Sequence, residues 1–235
     1  MIKKVIISPS AVYLAEYIQS LGVDVYTDYC NFSVDKRISD HADVSYFFDT
    51  QDTLFVAKSV KDTIGNFKDV CKNIVIVQDN QTQNYPSDVQ LNCVAVGKHF
   101  ICNEKTVAKL ILEHMENLGF EIINVNQGYT KCSILPVTDN AIITDDLSVY
   151  EACQKHNIDV LLVSKGNVNL QGYSYGFIGG AGGKISDNLI LFNGDIRNHC
   201  DCEKIEVFLK QHNIDWVCTA GELIDIGSII PLYKV

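Results

Sequence analysis

One pattern of apolar and polar positions recurs five times along the chain: an apolar run, a polar turn, an amphipathic stretch and a second apolar run. The first runs are residues 5–8, 54–57, 100–103, 142–145 and 190–193, and their starts lie 49, 46, 42 and 48 residues apart. From Ile190 through the C-terminus and round to Val5 is a further 50 positions. The period therefore closes only when the two ends are joined, which predicts a ring of repeats.

The amphipathic stretches carry helix signals. Ser10 precedes a helix through Ile18 and Gly22 stops it; Asn103 precedes Glu104 to Leu118, with Val107, Leu110, Ile111, Met115 and Leu118 at helical spacing and Gly119 after them. Asp145 and Asp146 precede Leu147 to His156, and Asp201 precedes a helix through Lys210. The second unit is the weakest, with only Val60, Ile64, Phe67 and Val70. Each helix leads to another strand, beginning near Val23, Ile74, Phe120, Ile158 and Ile214, and a strand–helix–strand crossover favours parallel pairing.

A further apolar segment precedes each first strand: residues 44–48, 89–96, 132–137, 175–185 and 224–232. The first four form hairpins with the strand that follows. The last has no following strand and is expected to pair with Val5 to Ser8, closing the ring. The expected architecture is α/β: a five-bladed α/β propeller of strand–strand–helix–strand repeats forming one domain over residues 1–235, with the N- and C-terminal segments completing one blade. An open α/β sheet is the alternative, and it leaves the closing repeat without a cause.

Composition narrows the function classes. The 235 residues are 47% hydrophobic, enough for a large core, and no run approaches a membrane span. The net charge of −10 lacks the basic face of a nucleic-acid binder. The N-terminus shows no signal-peptide pattern, and nine scattered cysteines without a CxxC pair read as reduced thiols, so a cytoplasmic protein is expected. Oligomeric state stays open.

The segments Gln127 to Ser133, Tyr175 to Gly183 and Asp225 to Leu232, together with the five-unit pattern, resemble the pentein fold of the guanidine-modifying superfamily. They are most similar to a clostridial-type family of that fold that brings no activity with it. The superfamily holds arginine and agmatine deiminases, dimethylargininase and amidinotransferases, with the ribosome anti-association factor as a non-catalytic branch. In its catalytic members a cysteine near the C-terminus attacks the guanidine carbon, a histidine serves as acid and base, and acidic residues hold the guanidinium. The resemblance implies chemistry without cofactor or metal. Here the C-terminal position falls in Asp225-Ile226-Gly227-Ser228, which holds no cysteine.

Candidate residues follow from the unit starts. Cys132 opens an inner-strand segment after a Gly-Tyr-Thr turn, beside Lys131, whose charge would lower its pKa; the alternative is a core cysteine like the other eight. His41, flanked by Asp40 and Asp43, is the acid/base candidate, or else a loop histidine among turn aspartates. These give a catalytic set of Cys132, His41 and Asp43. Asp88, Asn92, Lys131, Asp195, Asp225 and Ser228 are substrate-binding candidates, since carboxylates around one hole suit a guanidinium or amidine in the central pore; Asp195 reads equally as a turn residue and Asp88 as a strand-end cap.

Gly179 to Gly183 fails the phosphate-loop pattern, because Ile178 stands where the first glycine belongs and Ile185 where Ser or Thr belongs; close packing near the axis suits it better. His199-Cys200-Asp201-Cys202 reads as a helix start with incidental cysteines, and Trp216 and the tyrosines carry no readable pattern. Two functions remain: an enzyme on a small nitrogenous substrate with a cysteine nucleophile, or a non-catalytic binding protein.

Overall fold

In the computed structural model, residues 1–78 and 80–233 are described. The expected bounds of 1–235 include Asp79, Lys234 and Val235, which lie outside them. The chain runs β1 (Ile2–Ile6), α1 (Val12–Ser20), β2 (Asp24–Tyr26), β3 (Tyr46–Phe48), β4 (Thr53–Ala57), β5 (Asn73–Val77), β6 (Val94–Val96), β7 (His99–Cys102), α2 (Lys109–Asn117), β8 (Glu121–Asn124), α3 (Thr130–Ser133), β9 (Ile134–Thr138), β10 (Ala141–Thr144), α4 (Leu147–Lys155), β11 (Asp159–Leu162), β12 (Gly182–Ser186), β13 (Leu189–Phe192), α5 (Cys202–Gln211), β14 (Asp215–Cys218) and β15 (Ile230–Tyr233).

These strands make five three-stranded sheets, ordered β15-β1-β2, β3-β4-β5, β6-β7-β8, β9-β10-β11 and β12-β13-β14. In every sheet the inner strand pairs antiparallel with the middle one, and the middle one pairs parallel with the outer. The closing blade forms as its pattern requires: Ile6 stands opposite Ile230 and Lys4 opposite Leu232. The inner strands touch in the cyclic order β15, β3, β6, β9, β12 and back to β15, so they surround one axis.

Apolar middle strands are buried on both faces: Ile142 of β10 packs with α4 and the β6-β7-β8 blade, and Ile143 with the β12-β13-β14 blade and its helix α5. Four of the five crossovers share one device: Gly22, Gly119, Asn157 and Asn213 follow a helix with positive φ, the left-handed conformation that ends it and starts the outer strand. Two helices differ from the sequence pattern. The second unit holds a 3₁₀ stretch, Lys58–Phe67, irregular at Val60. The third helix begins at Lys109 rather than Glu104: the Asn103 side chain accepts from Lys105 N, its carbonyl accepts from Thr106 and Val107 N, and Ala108 N donates to Gln90 O, so the first turn is spent on a loop. Among the described residues no helix is long and apolar enough to cross a membrane.

Candidate functional site

The segments that lead into the five inner strands converge at one mouth of the ring. A cavity of about 200 Å³ opens there, lined by His41, Tyr129, Cys132, Tyr173, Tyr175, Phe177 and Asp225 with Ile38, Val44, Leu170 and Ser174. Each unit supplies its polar group from the same place, just ahead of its inner strand: His41 and Asp43 before β3, Asn92 before β6, Cys132 before β9, the Gly179–Gly180 backbone before β12, and Asp225 and Ser228 before β15.

Cys132 is 3% exposed. Its thiol donates to Asp43 Oδ2 at 2.9 Å and its sulfur accepts from Asn92 Nδ2 at 3.2 Å. The same asparagine accepts through Oδ1 from Lys131 N at 2.7 Å and Cys132 N at 3.2 Å, holding the α3 turn in place. Ser228 Oγ donates to that same Asp43 oxygen at 2.8 Å and lies 2.8 Å from Gly179 O. Ser228, two residues ahead of β15, stands at the position equivalent to Cys132, two residues ahead of β9, and it does so at φ +70°, a left-handed conformation unusual for serine. Its hydroxyl contacts stabilise that backbone.

Asp225 is buried and accepts from Phe177 N and Gly227 N, each at 2.9 Å, while His41 Nδ1 sits 3.8 Å from its Oδ1. Burial pushes the Asp225 carboxyl up from its ordinary range, against the pull of His41. Burial is also the main cause that pushes the Cys132 thiol well up, and the Asp43 and Asp225 carboxylates add to it. The expectation that Lys131 would lower the Cys132 pKa is therefore corrected: the two groups act on each other, but burial and the two carboxylates outweigh the lysine. In the short helix α3, successive side chains diverge by about 100°, and the Lys131 side chain lines a different cavity.

Around these groups stand carboxylates with unpartnered oxygens. Asp88 accepts from the Tyr129 hydroxyl through Oδ2 and leaves Oδ1 without a hydrogen bond, as Asp43 and Asp145 leave theirs. Burial pushes Asp145 up to about 7. Tyr129 stacks between Tyr85 and Phe177, with centroids 6.2 Å away on each side. Tyr173 carries the Arg37 guanidinium over its ring, and that guanidinium is committed to Asp35 and to Gly172 O. Among the described residues no lysine or arginine lines this cavity.

The structure thus brings Cys132, His41, Asp43, Asn92, Asp225 and Ser228 together, with Asp88 behind Tyr129. It does not bring Asp195 there: Asp195 caps a 3₁₀ turn at Arg197 N and pairs with the Arg197 side chain at 2.8 Å. Sequence reasoning missed Tyr129, Tyr173, Tyr175, Phe177 and Asp145. Tyr129, Tyr175 and Phe177 lie in the very segments that carry the family resemblance, the one available signal. The His199, Cys200 and Asp201 ligand atoms lie within 4.8 Å of one another, but Asp201 accepts from Lys204 Nζ and Ser164 N, and His199 Nδ1 accepts from Asp201 N.

The glycines ahead of β12 make room for Asp225. A Cβ on Gly180 would lie 2.0 Å from Asp225 Oδ1, and one on Gly227 would lie 2.2 Å from the His41 Cβ. Gly180→Ala should accordingly displace the Asp225 carboxylate and lower stability by roughly 1–3 kcal/mol. A melting temperature unchanged from wild type would contradict this packing.

The model of a family of unknown function (DUF6873) matches residues 6–230. No curated protein sequence matches the chain. Among solved structures, an amidinotransferase of the saxitoxin pathway from Microseira wollei superposes with a TM-score of 0.57 at 8% identity, covering 93% of this chain and 89% of that one. A dimethylarginine dimethylaminohydrolase bearing an S-methyl-L-thiocitrulline adduct gives 0.58 at 11%, covering 99% and 100%. The inosamine-phosphate amidinotransferase of Streptomyces griseus gives 0.57 at 8%, covering 100% and 94%. The fold is the five-unit pentein fold of these guanidine-modifying enzymes.

Proposed function

We propose, from the premise that the chain belongs to the DUF6873 family, that its axial-mouth cavity binds a small cationic guanidine or amidine and that Cys132 attacks the amidine carbon. One observation carries this reading: the Cys132 thiol donates to Asp43 on a cavity that His41 and Asp225 also line. Asp225, with the unpartnered oxygens of Asp43 and Asp88 behind it, supplies the negative field for a planar cation, and Tyr129 and Phe177 supply flat faces for its body.

The chemistry follows from the charges. In the empty site, burial and two carboxylates keep Cys132 a thiol. A bound cation offsets those carboxylates, lowers the thiol pKa and lets Asp43 accept the proton. The sulfur–carbon bond then forms, the carbon–nitrogen bond to the departing amine breaks, and His41 supplies the proton that the amine takes away. Water, or an acceptor amine in a transferase, next attacks the thiouronium carbon, returns a proton to His41 and releases the sulfur. Asn92 holds the α3 turn and Ser228 holds Asp43. Among the described residues the lining holds no lysine or arginine, which favours substrates without a carboxylate. All nine cysteines are free, in keeping with a cytoplasmic setting.

A second reading, a non-catalytic binding protein, is favoured by one observation: Ser228 stands where the superfamily nucleophile is expected. The two readings separate by labelling rates, followed by mass spectrometry. Neutral iodoacetamide at pH 7.5 should label Cys132 more slowly than the exposed Cys200. Cationic chloroacetamidine should reverse that order, because the cation both docks and activates the thiol. If Cys132 lags Cys200 with both reagents, the nucleophile assignment fails and the binding reading stands.

A further inference from the structure

Lys131 is 8% exposed, and its Nζ has no hydrogen-bond partner. Burial lowers the Lys131 pKa, and Asp43, Cys132 and Asp225 draw it back up from the mouth side, yet none of them hydrogen-bonds its Nζ, so the ammonium has charge compensation without a direct partner. Its stem lines a second cavity of about 80 Å³ that runs along the axis between the five inner strands, with Phe47, Ala95, Pro136, Ile230 and Tyr233 among its walls. The cavity shares no lining residue with the Cys132 cavity.

We propose that this axial cavity binds a small monocarboxylate with a short apolar body, the carboxylate at Lys131 and the body against the inner strands. The proposal does not rest on the catalytic reading of Cys132. Three features select this ligand class. The walls are mostly apolar, so the ligand carries hydrocarbon. The other lysine in the lining, Lys184, donates to Val137 O at 3.1 Å and has the Asp139 and Asp187 carboxylates near it to offset its charge, so the net positive charge on the cavity is small, which suits a single negative charge better than phosphate or sulfate. The volume corresponds to about six waters, the size of a four-carbon acid. Lys131 Nζ itself is enclosed, and rotation about the end of its flexible stem brings it to the carboxylate.

Butyrate is the probe, titrated into the full-length protein and followed by calorimetry and thermal melting. Saturable binding with a raised melting temperature is expected, with 1-butanol and inorganic phosphate each at least tenfold weaker. Lys131→Met, which removes the charge and keeps the volume, should weaken butyrate at least fivefold. Ala95→Leu, which fills the cavity and leaves the lysine intact, should do the same, and it carries the test if the lysine variant does not fold. Absence of saturable butyrate binding to the wild type would overturn the proposal. So would a loss under fivefold in the folded variants, or phosphate binding as tightly as butyrate.

Discussion

Removal of residues 224–235 should unfold the entire ring rather than fray one end. The deleted stretch carries β15 and buries Ile226, Ile229, Ile230 and Leu232, at 5%, 1%, 6% and 0% exposure. Full burial of such a side chain contributes about 1.5–3 kcal/mol, so four remove roughly 6–12 kcal/mol against a typical total of about 5–15 kcal/mol. Three further losses follow. β1 loses its antiparallel partner, β3 and β12 lose the inner strand between them, and Asp225 and Ser228 leave the site. Circular dichroism and proteolysis should show no cooperative transition. A truncated chain that melts cooperatively within a few degrees of the full one would mean that β15 is not integral to the ring.

Asp43→Asn should produce opposite changes with two reagents at one sulfur. The carboxylate accepts from Cys132 and Ser228 and is the largest contributor to the high thiol pKa after burial. An amide of the same shape removes that charge and can turn its nitrogen towards the sulfur. The sign is then fixed: less negative charge nearby favours the thiolate, the pKa falls, and iodoacetamide labelling of Cys132 at pH 7.5 rises. A drop of one unit is about a tenfold gain in thiolate while the thiol form dominates. Chloroacetamidine should lose its advantage over iodoacetamide, since part of the field that holds the cation is gone. In the wild type, iodoacetamide labelling should climb only above the range in which an ordinary thiol ionises, and in the variant the climb should move to lower pH. Rates that move together for the two reagents would separate Asp43 from the binding of cations.

Much of the ring was legible because it depends on spacing alone. The five apolar first runs all became middle strands, and the unpaired segment ending at Leu232 found Val5 and Ile6 as the count required. Helix starts were less legible. At Asn103 a side chain competes for the amides that a helix would use, and the outcome depends on Gln90, distant in sequence. The site was partly legible for the same reason as the ring: residues just ahead of inner strands must meet at the axis. Its electrostatics were not. Lys131 and Cys132 are neighbours in sequence, but a single helical turn sends one side chain down the axis and the other to the mouth. The aromatic wall was hidden because a tyrosine's place in a cavity depends on where its loop folds, as with Tyr173 and Tyr175 on the long segment between β11 and β12.

The sharing of Asp43 by Cys132 and Ser228 has a consequence for how sites in such rings are compared. The two residues are 96 positions apart in the chain yet equivalent under rotation by two blades, and both hydroxyl and thiol address one carboxylate oxygen. A reactive group in this architecture is located by its height along the axis and its angle around it, not by its column in a linear alignment. Two relatives can therefore present the same constellation to a ligand while no chemically matching pair of residues aligns. Superposition after rotation by each multiple of one blade is the comparison that would detect such a migrated nucleophile.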